Sequence, residues 1–359
     1  MHLTGPRLFM PRWLEGARPD IILALLLGFS LIAAACGDSS NDKSGGSASP
    51  VARQEPKHVT FMAGFKAQAN LPFVGVYVAQ EKGFFRDQNL SVDIRHAQAA
   101  EHLQLLLAGE VQFATANGAQ VIQRNTQNLP LVSIALIGQK SEQGFIVGAN
   151  SGINTIADWA GKKFGYKGTV PVEFLAIAKA NGLNPNRVNQ VRVGFDPRVL
   201  SEGQVDILAV FVSNEPGQLD RIGYATRLFD PSDYGIPALG LTYVTTPDVI
   251  AKDPEVVARF TKAALKGIEY ADANRTEALD IVMKYAPQEN REQQKFMLET
   301  ELARAKSDNG FGSQTRAQWQ ALNDTLEEFG VLDKKADVSK VFSEQFPSSI
   351  MRNAKVVWP

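Results

Sequence analysis

A single cysteine, Cys36, divides this chain into two parts of unlike chemistry. Upstream, residues 21–35 are uncharged and mostly apolar, and Arg7, Arg12 and Arg18 precede them. Downstream, residues 37–50 read GDSSNDKSGGSASP, too polar and too rich in Gly and Ser to bury a core. A basic flank, an apolar stretch and small residues before a cleavage point are the requirements of a secretory signal. A membrane-spanning helix needs about 20 consecutive apolar residues, and the 15 residues of 21–35 fall short of that. The rest of the chain is therefore expected to fold outside the cytoplasm, with residues 1–35 removed. It has no second cysteine, so it folds without an internal disulfide and offers no thiol nucleophile. Core burial has to hold it together.

Removing 35 of the 359 residues leaves 324, more than one hydrophobic core usually spans, so two lobes are expected. Residues 36–56 read as a flexible tether. From residue 57 the pattern alternates. Strands are predicted at 59–65, 90–94, 111–114 and 131–135, and helices at 73–81 and 101–109, the latter with Leu103, Leu106 and Leu107 on one stripe and Gly109 as its stop. A second cycle starts near Gly144, with strands at 145–148, 163–166, 190–193 and 205–211, a turn at 155–160 and a helix at 172–181. Such alternation predicts α/β lobes with largely parallel sheets. An L-x-x-G-x-V echo at 106–111 and 200–205 places the same helix–turn–strand junction once in each lobe.

The last third is helical at 254–273, 275–285, 292–306 and 315–329, after a returning strand at 241–244. A chain that leaves one lobe near 144 and returns near 240 makes two crossovers. The expected organisation is residues 57–144 with 241–359 as lobe 1 and 145–240 as lobe 2. The cleft between them is the default ligand site, and the paired crossovers are a hinge.

Enzyme constellations are sparse. Of four histidines, His2 lies in the leader, and His58, His96 and His102 form no H-E-x-x-H pattern. There is no G-x-S-x-G elbow, and residues 161–165 lack the phosphate-loop form. Lys and Arg total 37 against 38 Asp and Glu, which gives no reason to expect a nucleic-acid partner. No metal site and no catalysis are expected.

The Cys36 box resembles the bacterial lipoprotein signal, although Ala33 stands where leucine is commoner. The resemblance implies acylation of Cys36 and anchorage to the lipid bilayer at the extracytoplasmic face of the cell membrane. Residues 57–350 resemble the solute-binding lipoproteins of bacterial ABC importers, in the branch similar to thiamine-pyrimidine-precursor binding and synthesis proteins. Leu71-Pro72 and the stretches 77–79, 81–85, 106–113, 207–216, 233–235 and 257–270 carry the likeness. It implies a two-lobed, type II periplasmic-binding-protein-like α/β fold. It also implies a monomeric receptor without a resident cofactor that docks on an ABC permease. Residues 65–73, FKAQANLPF, look most like the riboflavin-binding members, so riboflavin is the expected transported ligand. The alternatives are a thiamine-precursor pyrimidine on the same fold, a pyrimidine-synthesis enzyme, or a surface structural protein.

A flavin ring asks for an aromatic face, and its polar edge and hydroxyls ask for hydrogen-bond partners. Phe65, Asn70 and Phe73 supply both in one segment. Asn117, expected in a loop at 115–119, opens a helix whose first amides face an oxygen-rich ligand. In the second lobe Tyr166 and Thr169 precede a helix, with Thr169 a contact or a cap. Asn214 and Glu215 follow a strand in a polar loop, and Tyr234 is a candidate wall of the cleft.

Overall fold

The computed structural model describes residues 55–98 and 101–359. The apolar run, Cys36 and nearly all of the expected tether lie outside the described residues. No described helix is long and apolar enough to cross a membrane.

Ten strands form two five-stranded sheets. In chain order they are β1 (Lys57–Ala63), β2 (Leu90–His96), β3 (Phe113–Asn117), β4 (Val132–Leu136) and β5 (Gln143–Gly148). Then come β6 (Lys163–Tyr166), β7 (Asn189–Arg192), β8 (Ile207–Phe211), β9 (Thr226–Phe229) and β10 (Leu241–Thr245). The first sheet runs β2-β1-β3-β10-β4 and the second β7-β6-β8-β5-β9. The chain leaves the first sheet after β4, builds the second, and returns as β10. This is the two-lobed α/β architecture with two crossovers.

The sheets are mixed, not largely parallel. β1 pairs in parallel with β2 and β3, but β10 runs antiparallel to β3 and β4. In the second sheet β5 opposes both β8 and β9. The cause is topological: β10 and β5 each enter their sheet from the other lobe, and so from the end at which the local strands finish.

A second correction concerns strand starts. The strands expected at 111 and 205 begin at Phe113 and Ile207. The valine of each L-x-x-G-x-V repeat turns its amide back onto the preceding helix, Val111 N–H to Leu105 O at 3.4 Å and Val205 N–H to Val199 O at 3.3 Å. The echo is thus one helix-ending device used in both lobes. It delays strand pairing by two residues, and it carries Thr115 and Ala116 from the expected loop into β3.

Each lobe has an aromatic centre. Phe61, Phe113, Tyr243 and Phe260 cluster in the first, with Phe113 and Phe260 rings parallel at 3.9 Å. Phe145, Trp159, Phe164 and Phe174 do so in the second, with Phe164 and Phe174 stacked at 4.1 Å. Helices Leu71–Glu81 and Pro254–Ala273 cross so closely that a methyl at Gly267 would overlap the Gly75 carbonyl.

The helix Arg291–Ala305 joins the lobes. Toward the first, Gln294 Oε1 accepts from Ala69 N–H at 2.7 Å, and Glu301 accepts from Asn70 Nδ2 at 3.2 Å. Toward the second, Gln293 donates to Asn214 O at 2.9 Å, Glu301 accepts from Ser213 Oγ at 2.8 Å, and Arg304 pairs with Asp230.

Candidate ligand cleft

The ends of β3, β6 and β8 and the starts of β5 and β10 converge on a cavity of about 440 Å³ between the lobes. That size suits a small organic molecule. The first lobe contributes Asn117 and Leu322, the crossovers Ser141, Glu142 and Leu239, and the second lobe Lys167, Thr169, Glu173, Phe195 and Phe211.

Two of these are exposed aromatics. Phe195, in the loop after β7, is 80% exposed, and Phe211, ending β8, is 45% exposed. The Lys167 ammonium lies 5.9 Å and 5.7 Å from their ring centroids. It is held there by an ion pair with Glu215, whose side chain is buried while that of Lys167 is partly so. Glu215 also accepts the Phe211 N–H at 2.8 Å, so one carboxylate fixes the lysine and the end of β8 together. The geometry offers flat apolar faces at a site open to solvent, a place where a planar ring gains burial and stacking.

Acidic groups supply the polar side. Burial pushes the Glu142 carboxyl up to about 8, and the neighbouring Glu301 and Glu173 add repulsion, against a hydrogen bond from Leu241 N–H and the charge of Arg304. Burial likewise raises Glu173 and Glu301 above the usual carboxylate range. Glu142, raised to about 8, keeps its proton at neutral pH and can donate as well as accept. Asp230 is the opposite case: burial raises it, but the Arg304 guanidinium outweighs burial and leaves it below the usual range. Among the described residues no group of three or more His, Cys, Asp or Glu is arranged to hold a metal ion.

The structure brings some of the predicted residues to this cavity and leaves others behind it. Asn117 and Thr169 line it. Asn117 is committed as the N-cap of helix Gly118–Thr126, in a reciprocal pair with Gln120. Thr169 is exposed and caps nothing, because helix Val172–Ala180 starts from Pro171. Glu215 opens the helix Glu215–Arg221 instead of sitting in a loop, and reaches the cavity through Lys167. Asn70 and Asn214 are tied to the joining helix. Phe65 is 54% exposed, and its carbonyl bonds His96 Nδ1 at 2.9 Å. Phe73 is 1% exposed and belongs to the first lobe's core. Tyr166 and Tyr234 are half-buried against the second lobe's core.

Sequence reasoning passed over Glu142, Lys167, Glu173, Phe195 and Phe211. Phe195 alone left a local signal, an aromatic set among the turn formers Gly194, Asp196 and Pro197.

Two α/β lobes, two crossovers and an open cleft between them are an architecture shared with periplasmic solute-binding proteins. The model of the family described as NMT1/THI5 like matches residues 70–278, and the chain belongs to that family. It is 27% identical over 280 residues to the formylaminopyrimidine-binding protein of Halalkalibacterium halodurans, covering 75% of this chain and 84% of the relative. It is 25% identical over 292 residues to the riboflavin-binding protein RibY of Chloroflexus aurantiacus, covering 77% and 83%. The periplasmic aliphatic sulphonate-binding protein SsuA from Escherichia coli shares the fold, with a TM-score of 0.64 at 14% identity over 81% of this chain and 99% of that one.

Proposed function

We propose that this protein is the substrate-binding lipoprotein of an ABC importer, and that it captures a small planar nitrogen heterocycle of the thiamine-precursor pyrimidine class. The observation that carries the reading is the cavity itself: exposed Phe195 and Phe211 beside Glu142 and Glu173. Aromatic faces suit the ring, and the carboxyls suit ring nitrogens and an exocyclic amine. Residues 57–144 with 241–359 form one moving lobe and 145–240 the other. Asn117 and Thr169 face the ligand in this cavity and Glu215 holds Lys167 beside it, while Tyr166, Asn214 and Tyr234, and Phe65 and Asn70 of the first lobe, reach the ligand only as the lobes close. Cys36 carries the lipid, so that a monomeric receptor stands at the outer face of the cell membrane near its permease. Ligand closes the lobes because it binds the closed form more tightly than the open one. The role is selection and delivery, and the single cysteine leaves no cysteine-rich motif for a synthase.

Riboflavin is the second reading. The likeness to RibY and the 65–73 segment favour it. Titrating the purified full-length chain with 4-amino-5-hydroxymethyl-2-methylpyrimidine by calorimetry, and with riboflavin by quenching of flavin fluorescence, separates the two. One-to-one saturation by the pyrimidine, with riboflavin at least tenfold weaker, supports the first reading, and the reverse order supports the second. Phe195→Ala is expected to weaken whichever ligand binds by about 3- to 10-fold, the worth of one aromatic contact. An unchanged affinity would remove Phe195 from the site.

A further inference from the structure

Proteins of this architecture have an obvious way to hold an anion: helices start at the cleft, and a helix N-terminus presents free amides and a positive dipole end. At both helices that begin at the cavity, the chain itself takes some of those positions. At Gly118–Thr126, Gln120 N–H is taken by Asn117 Oδ1 at 2.9 Å and Gly118 N–H by Leu239 O at 3.2 Å. At Val172–Ala180 the Glu173 carboxyl accepts from its own backbone N–H and from Ser141 Oγ at 3.2 Å. A carboxyl oxygen of the chain thus already occupies part of that first turn.

The charges agree with this. Lys167 is the one cation among the described residues lining the cavity, and it is neutralised by Glu215. Arg304, behind the crossover, is committed to Asp230 and to Ser141 O. Glu142 and Glu173 also line the cavity, and among the described lining residues no cation is left over. An entering dianion would lose its hydration and find no unpaired cation among the described lining residues to replace it, an uncompensated desolvation that disfavours it.

We infer that the cleft selects an uncharged or protonated heterocycle and rejects its phosphate or sulfonate counterparts, with Glu173 occupying part of the helix terminus. The inference rests on the heterocycle reading above and narrows it to the unphosphorylated form. Specificity here comes from uncompensated desolvation of the wrong ligand as much as from attraction.

The test compares matched pairs on the full-length chain: the hydroxymethylpyrimidine against its phosphate, and riboflavin against riboflavin phosphate. In the native protein the ester of the pair that binds is expected to be at least about 100-fold weaker. Glu173→Ala frees the helix terminus and should narrow that ratio about tenfold, mainly by strengthening the ester. Glu173→Gln, which keeps the volume and the bond to Ser141, should narrow it less. Melting curves of both variants report whether they fold. An ester that binds as well as its parent overturns the inference while leaving the heterocycle reading in place. A ratio untouched by both substitutions removes Glu173 from the role. Failure of both neutral members to bind overturns the heterocycle reading and the inference with it.

Discussion

Glu142 joins the site's chemistry to the stability of the fold. Its carboxyl is pushed up to about 8 by burial, while the unfolded chain returns it to about 4.5. Between those values the folded state holds a proton that the unfolded state has released. This contribution to stability is therefore fully present below about 4.5 and declines as pH rises toward 8. Glu142→Gln removes the titration, so the variant's urea midpoint should fall less than the native protein's between pH 5 and pH 8. Parallel midpoints would show that Glu142 is not held protonated. Glu215 illustrates what a sequence can and cannot disclose at this scale. Its polar setting before Pro216 marked it as a candidate, but its partner Lys167 lies 48 residues away on another strand's end. Nothing local announces such a pair, because ion pairs form by proximity in space.

At the scale of elements, the crossing of helices Leu71–Glu81 and Pro254–Ala273 depends on two glycines. A methyl at Gly75 would stand 2.6 Å from Tyr243 Oη, and one at Gly267 would meet Gly75's carbonyl. Gly267→Ala gains helix propensity but has to separate the pair and open the packed core. We expect a net loss of about 1–3 kcal/mol, the usual cost of overpacking, read as a lower urea midpoint with an unchanged slope. An unaffected midpoint would show that the crossing yields at no cost. Helices 254–273 and 275–285 were legible residue for residue, since apolar periodicity and capping residues are local signals. The direction of β10 and the double allegiance of helix Arg291–Ala305 were not. That helix bonds Ala69 with Gln294 and Asn214 with Gln293, adjacent residues serving opposite lobes. Periodicity reports that a face is covered, not by which neighbour.

On the scale of the whole molecule, the two crossovers touch at Gly138 and Gly240, where Gly240 N–H donates to Gly138 O at 2.9 Å. A methyl at Gly240 would sit 2.9 Å from Lys140 O and 3.0 Å from the Gly138 Cα. Gly240→Ala thus wedges the hinge apart. The expected result is a smaller ligand-induced decrease in radius of gyration by solution scattering, with weaker binding. Full compaction on ligand addition would show that the crossovers do not govern closure. Arg304→Met breaks the contact between the joining helix and Asp230, and it should widen the unliganded form in the same measurement. An unchanged radius would mean that the remaining bonds of the joining helix hold the lobes unaided.

Local chemistry in the chain was enough to determine that two α/β units alternate, where most helices lie, and that a cleft should open between paired crossovers. These depend on near-neighbour periodicity and on turn residues, which act over a few positions. The mixed strand directions, the Lys167–Glu215 pair, the aromatic wall of Phe195 and Phe211 and the acidic lining were decided only by tertiary structure. Each arises where segments far apart in sequence meet at the ends of strands. The energies that matter there are desolvation and charge proximity, which exist only once the lobes have formed.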